Sequence, residues 1–153
     1  MTEMINLKVI GHVRSPRTST ADHKWGEVES RIEIEPEFTD GLLGLDQWSH
    51  ALVLFYMHLD PEGEAPALQR RPRRRDDMPL LGVFAQRGRV RPNPVGITAV
   101  DIVRVEAGAV VVRGLDAVDG TPVLDLKPYA PVFDRRDEAR VPDWMNRLMQ
   151  GYF

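Results

Sequence analysis

The sequence predicts a mainly β protein: a single-domain β-barrel, or a strongly curved sheet, with short helices and a C-terminal helix. Three features predict it. Short stretches repeatedly alternate apolar and polar residues, or run apolar over strand length. Closely spaced Gly, Pro and Asp turn signals separate them, and helical periodicity is clearest in the last residues. No βαβ alternation occurs and no G-x-G-x-x-G loop follows a strand, so the fold is not expected to be of the Rossmann type.

Taken in order, "LKVIGHVRSP" reads as a first strand stopped at Pro16, and "RTSTADHKWG" as a polar loop with one isolated tryptophan. "EVESRIEIE" alternates cleanly, with Val28, Ser30, Ile32 and Ile34 on one face and acids plus Arg31 on the other, so it is a half-buried strand. "PEFTDGLLGLDQWS" holds a short helix starting near Thr39 or Asp40, either of which could cap it. "HALVLFYMH" is an apolar run of strand length and predicts a central strand. Residues 60–79 form a long excursion rich in Pro, Gly and charge, of the kind that is often functional. "LLGVFAQR" is a further strand, followed by a Pro-Asn-Pro turn. "VGITAVDIVRVEAGAVVVRGLDAV" gives two strands joined at Gly108, and the Asp-Gly of "DGTPVLDLKPY" opens a last one. A final helix over about 142–150 is expected from the spacing of Val141, Met145, Leu148, Met149 and Tyr152, with Asp143 as its cap.

The 153 residues fit one domain, 1–153, and the 42% apolar and 28% charged content is that of a globular chain. A net charge of −3 argues against indiscriminate nucleic-acid binding, yet charge is unevenly placed. Residues 27–46 are acidic, whereas residues 70–91 carry Arg70, Arg71, Arg73, Arg74, Arg75, Arg87, Arg89 and Arg91 against Asp76 and Asp77. Of the 20 basic residues only Lys8, Lys24 and Lys127 are lysines. Guanidinium forks suit phosphates and carboxylates, though high genomic GC content would give the same bias. With no cysteine, disulfides, thiolate catalysis and Cys-bound zinc are excluded. The start lacks a signal-peptide pattern and the longest apolar run, "ALVLFYM", is too short to span a bilayer, so no membrane association and a cytoplasmic location are expected.

Two constellations carry the candidate chemistry. In "FAQRGRVRPNPVG", Arg87, Arg89 and Arg91 would share a face if the stretch stays extended, and Pro92 and Pro94 stiffen the backbone directly after them. Such like charges need compensation, either from an anionic ligand or from the acidic face of "EVESRIEIE" as a neighbouring strand. In "DGTPVLDLKPY", Asp125 and Lys127 share a strand face; they would tune a proton transfer or bind a zwitterion, or form a plain ion pair. His50 and His58 lie too far apart along a strand to share one metal, and no metal site is expected. The residues alone also leave open a non-catalytic RNA- or small-ligand-binding barrel. Base stacking would then need aromatics beside the arginines, and only Phe84 lies close.

The blocks "IGHVRSP", "PEFTDGLLGLDQWSHALVLFYMH", "GVFAQRGRVRPNPVGIT" and "GLDAVDGTPVLDLKPY", in that order over residues 10–129, resemble the TsaA-like (TrmO) family of tRNA methyltransferases. The resemblance implies a non-Rossmann β-barrel, a homodimer, and S-adenosyl-L-methionine (SAM) as cofactor. It implies methyl transfer to N6 of threonylcarbamoyladenosine beside the anticodon of tRNA. His58, Arg87 and the turn Asp119, Gly120, Thr121 and Pro122 would contact the cofactor, with Arg91 and Asn93 in the same pocket. Asp125 or Asp119 would serve as base with Lys127 orienting it, Asn93 would assist catalysis, and Arg70, Arg71, Arg73, Arg74, Arg75, Arg89 and Arg91 would hold tRNA. Two departures stand out. The 17–26 loop lacks the family's Pro-Arg-Gln-like triplet, leaving Trp25 to stack in its place, and Gln86 and Arg89 replace a threonine and a small or aromatic residue.

Overall fold

A computed structural model of the chain describes residues 1–59 and 67–153. Its strands are β1 (Gly11–Arg14), β2 (Glu29–Ile34), β3 (His50–Tyr56), β4 (Gln69–Arg70), β5 (Leu81–Gly82), β6 (Val95–Glu106), β7 (Ala109–Arg113) and β8 (Pro122–Pro128). Two short helices, α1 (Pro131–Asp134) and α2 (Asp143–Leu148), come after them. Six strands close into an antiparallel barrel in the order β1-β2-β7-β6-β3-β8, and β4 and β5 form a separate small ladder.

Alternation explains the interior. Ile32 and Ile34 of β2, Val53 and Phe55 of β3, Val110 and Val112 of β7 all point into one buried cluster. Burying each such side chain contributes about 1.5–3 kcal/mol, so these inward rows hold the barrel closed. As predicted, β3 is central, paired with β6 on one side and β8 on the other. Close packing also dictates glycines. A Cβ on Gly11 would lie 2.2 Å from the Glu33 carbonyl oxygen, where β1 meets β2, and one on Gly96 would lie 2.5 Å from the Phe55 ring.

The acidic face of β2 is answered by its own neighbours. Arg14 and Arg31 reach Glu33, Arg113 reaches Glu29, and Arg31 and Arg104 both reach Glu106. Hydrogen bonds from Arg104 and Arg31 hold the Glu106 carboxyl below the usual range. The expected alternative partner for Arg87, Arg89 and Arg91 is therefore already occupied.

Two register shifts bend the sheet. One lies in β6 between Ile102 and Arg104. The other lies in β8, where Leu54 pairs with Asp125 but Phe55 pairs with Val123, leaving Leu124 as an extra residue. Such a bulge reverses the facing of every later residue in the strand. Val123 is fully buried, Leu126 packs against the core, and Asp125 and Lys127 turn outward.

Several expected elements differ. The first strand is short, and residues 1–9 are exposed outside any strand. The expected helix near Thr39 is a 3-10 segment, Pro36–Leu42, beginning at a proline with no side-chain cap; the Thr39 hydroxyl donates to the Pro36 carbonyl. Part of the excursion, residues 60–66, lies outside the described residues, and the rest contains β4 and a 3-10 turn over Pro72–Arg74. The strand predicted over "LLGVFAQR" ends at Gly82 and passes into a 3-10 turn, Val83–Ala85. The Gln86 side-chain amide donates to the Arg70 and Leu81 carbonyls, which holds that turn in place of a strand. Asp143 is the first residue of α2 rather than its cap, which is Pro142.

Beyond α2 the chain folds back onto the barrel. The Tyr152 hydroxyl donates to Asp116, which also accepts the Thr98 hydroxyl of β6. Burial, with the Asp116 carboxylate adding to it, pushes the Tyr152 phenol far above its ordinary pKa.

This packing sets two expected outcomes. Gly11→Ala should lower unfolding free energy by about 2 kcal/mol or more, since overpacking commonly costs 1–3 and the obstacle here is backbone. Gly41→Ala, with open space around its Cβ, should be near neutral; denaturant melts compare the two. Because Tyr152 is raised in the folded state, its contribution to stability is complete below about pH 10, the phenol's unfolded pKa, and declines above it. An alkaline titration of phenolate absorbance should show one of the chain's 3 tyrosines ionising only on unfolding.

Candidate functional site

The outer face of β3 is unusual for a barrel wall. Leu52 and Leu54 project outward and are only half covered, with Tyr56 more exposed beyond them. Register places Ile97, Leu54 and Asp125 on one rung across β6, β3 and β8, and Ala99, Leu52 and Lys127 on the next. At about 4.8 Å per strand, the rung spans roughly 10 Å. Its β8 edge carries the ion pair Lys127–Asp125, 3.0 Å apart, and the other Asp125 oxygen accepts the Leu126 N–H. At its β6 edge the Arg87 guanidinium donates to the Ile97 carbonyl at 2.7 Å. Arg87 and the acid–base pair thus flank a common apolar strip. His50 ends the strip, its Nε2 3.0 Å from Asp101 and its ring edge-on to Tyr129.

His58, Asn93 and the 119–122 turn gather at the end of the barrel where β3 stops and β6 and β8 start. Tyr56 pairs with Val95, and the Met57 N–H donates to the Pro94 carbonyl, so His58 comes directly beside the Pro-Asn-Pro turn. Its Nδ1 is buried without a hydrogen-bond partner among the described residues. Asn93 is exposed, and its carbonyl accepts the Val95 N–H. The 119–122 turn also opens at this end, since Val123 pairs with Phe55. Asp119 accepts the Ser15 N–H at 3.0 Å, Gly120 takes φ +83° and donates to the Val13 carbonyl, and Pro122 lies opposite His12. Thr121 is buried with its hydroxyl on the Val118 carbonyl, so its side chain faces inward.

The arginines do not form the expected row. Residues 84–91 are not a strand. Arg91 folds back to donate to the Gln86 and Gly88 carbonyls, Arg87 turns to β6, and Arg89 is half-buried with no partner among the described residues. In the neighbouring segment Arg71 donates to the Met78 carbonyl, Arg73 lies 3.5 Å from Asp22, and Arg75 forms a forked pair with Asp77. Arg70 is in β4 and Arg74 in the 3-10 turn, and both have partners. Trp25 is buried at 2% exposure with its indole N–H on the Ala21 carbonyl and Arg17 stacked 4.2 Å over its ring. Trp25 is therefore an anchor of the 17–26 loop and not an exposed stacking surface, which corrects that expectation.

Arginines here fall into two populations. Arg14, Arg31, Arg75, Arg104 and Arg113 are neutralised by carboxylates. Arg17, Arg71, Arg87 and Arg91 are held by backbone carbonyls, which orient a guanidinium without cancelling its charge. Sequence reasoning missed the Leu52–Leu54–Ile97 strip between the charges. Its signal was the unbroken apolar run of β3, which puts apolar residues on both faces of a strand that a barrel buries on one.

The class is thus a closed antiparallel barrel, not a Rossmann domain, with an apolar strip on its outer wall between opposite charges. The chain belongs to the TrmO family, whose "tRNA-methyltransferase O N-terminal domain" matches residues 12–135. A "Probable S-adenosyl-L-methionine-binding protein" of Methanothermobacter thermautotrophicus is 39% identical over 135 residues, covering 84% of this chain and 93% of that one. The crystal structure of TrmO from Pseudomonas aeruginosa superposes with a TM-score of 0.76 at 31% identity, covering 94% of this chain and 63% of that one. A mouse "tRNA (adenine(37)-N6)-methyltransferase" is 36% identical over 139 residues, covering 91% of this chain and 31% of that one. The chain therefore spans less than two thirds of these last two relatives.

Proposed function

We propose that the chain is a SAM-dependent tRNA methyltransferase acting on N6 of threonylcarbamoyladenosine beside the anticodon. The observation that carries this reading is the convergence of the family motifs. Arg87, the Asp125–Lys127 pair, His58 and the 119–122 turn border one apolar strip and one barrel end. The names of the mammalian and archaeal relatives support the same chemistry.

The residues fit the cofactor. The strip offers apolar contact, Arg87 keeps its charge for a carboxylate, Asp125 places a carboxylate at the strip's β8 edge, and His58 has an unused buried nitrogen. When bound, SAM supplies an electrophilic methyl group. The substrate's N6 lone pair is delocalised into the ring and the carbamoyl carbonyl, so it needs its proton removed as it attacks. Asp125 is the base in this reading, and Lys127, 3.0 Å away, orients its carboxylate. Asp119 is the alternative base, on the 119–122 turn, where one carboxylate oxygen accepts the Ser15 N–H. Asn93, exposed on a turn stiffened by Pro92 and Pro94, positions the base edge. Holding donor and acceptor in line supplies much of the rate. Arg89, with Arg71 and Arg91 among the carbonyl-held arginines, meets phosphates, so tRNA binding weakens with salt.

The reading includes a homodimer and a cytoplasmic location. Among the described residues no helix is long and apolar enough to cross a membrane. Docking of the residues after α2 onto the barrel supports one domain over 1–153.

Arg87→Ala should weaken SAM binding about tenfold or more, the value of one charge-assisted hydrogen bond, whereas Arg75→Ala should not; calorimetric titration measures both. Protein, SAM and tRNA bearing threonylcarbamoyladenosine should yield, after digestion and mass analysis, that nucleoside with one added methyl group. Uptake of SAM without any transfer would instead mark a binding module.

A further inference from the structure

We infer that residues 143–153 form a strap that positions the 16–26 loop and the 70–78 arginine segment for RNA, with Tyr152 as its positioning residue. The RNA part rests on the tRNA reading above. The strap lies beyond residue 135, where the family match ends, yet it is tied down along its length. Leu148 of α2 is buried at 6% exposure. Gly151, at φ +69°, reverses the chain after the helix. The Lys24 and Trp25 N–H groups then donate to the Gly151 and Tyr152 carbonyls at 2.8 and 2.7 Å, clasping the 16–26 loop by its backbone. A Cβ on Gly26 would stand 2.9 Å from the Phe153 carbonyl carbon, so the strap lies flat against that loop.

The arginine segment is gripped from the same side. The Arg73 guanidinium lies 5.9 Å from the centre of the Tyr152 ring and 3.5 Å from Asp22 of the loop. Arg147 of α2 donates to the Asp77 carbonyl at 3.5 Å. Arg73 and Arg74 hold left-handed backbone, at φ 51° and 55°, a conformation that surrounding contacts must maintain. The Tyr152 hydroxyl, donating to Asp116, pins the strap to the connection after β7 and, through Thr98, to β6. Tyr152 thus joins the wall of the barrel to both loops, its side chain reaching Asp116 and Arg73 and its backbone carbonyl holding Trp25. Loops ordered before binding lose less conformational freedom on binding, so the strap's effect falls on affinity for RNA and not on the methyl-transfer step.

The test uses the whole chain with Tyr152→Ala and Tyr152→Phe. Three measurements are made: tryptic cleavage rate at residues 70–75, affinity for a tRNA anticodon stem-loop by fluorescence anisotropy, and SAM affinity by calorimetry. Tyr152→Ala should speed that cleavage and weaken stem-loop binding, each about tenfold, with SAM affinity within about twofold. Tyr152→Phe keeps the ring over Arg73 but loses the hydroxyl on Asp116, and should fall between the wild type and Tyr152→Ala in both protection and affinity. Unchanged cleavage, unchanged stem-loop affinity, or loss of SAM binding in step with the rest would each overturn the strap. Should the wild-type chain transfer no methyl, the cleavage and stem-loop measurements still decide the strap separately from the catalytic reading.

Discussion

The extra residue at Leu124 decides which face of β8 carries charge, and the outer wall depends on it. In an unbroken strand Val123, Asp125 and Lys127 would share a face. Either two charges would enter the barrel interior, or Val123 would leave it. An isolated carboxylate or ammonium in a dry core costs several kcal/mol even after relaxation, more than one valine returns. The register shift beside Leu54 removes that conflict. Val123 stays buried, Leu126 stays against the core, and the ion pair turns outward beside Leu52 and Leu54.

That placement gives the wall its chemistry. Barrel closure puts β3 between β6 and β8, so a ligand lying across β3 reaches Arg87 at one edge and Asp125 at the other. The floor between them is leucine, which offers no competing hydrogen bonds. Antiparallel pairing also collects the end of β3 with the starts of β6 and β8. His58, the Pro-Asn-Pro turn and the 119–122 turn meet there although they are far apart in sequence. The short ties among Ser15, Arg17 and Asp119 carry the 17–26 loop to the same end.

Much of this was legible where one residue pattern had one physical meaning. The alternation of β2, the run of β3, the hairpin at Gly108 and the turn at Gly120 were read correctly, both glycines taking positive φ. Legibility failed where distant groups decide local structure. "LLGVFAQR" has strand composition, but the Gln86 amide on two distant carbonyls shapes it into a turn. The sequence puts a helix start near Thr39 or Asp40, either of which could cap it, whereas Pro36, with its fixed φ, begins the 3-10 segment instead. Asp125 and Lys127 were correctly paired, but the bulge that aims them out shows only as two apolar neighbours, Val123 and Leu124.

The arginine row shows how the same side chain serves opposite ends. Like charges at every second residue would repel in a strand, and the chain avoids this by leaving strand geometry after Gly82. Each guanidinium then takes its own direction. A carboxylate partner would have fixed these side chains equally well, as it does on the face of β2, but would have left no net charge to offer. Backbone carbonyls fix Arg87 and Arg91 through partial charges alone, which leaves the guanidinium charge uncancelled. A protein with net charge −3 can therefore present an oriented cationic surface at one end. The choice of acceptor, carbonyl or carboxylate, separates the arginines that hold the barrel together from those left able to meet an anion.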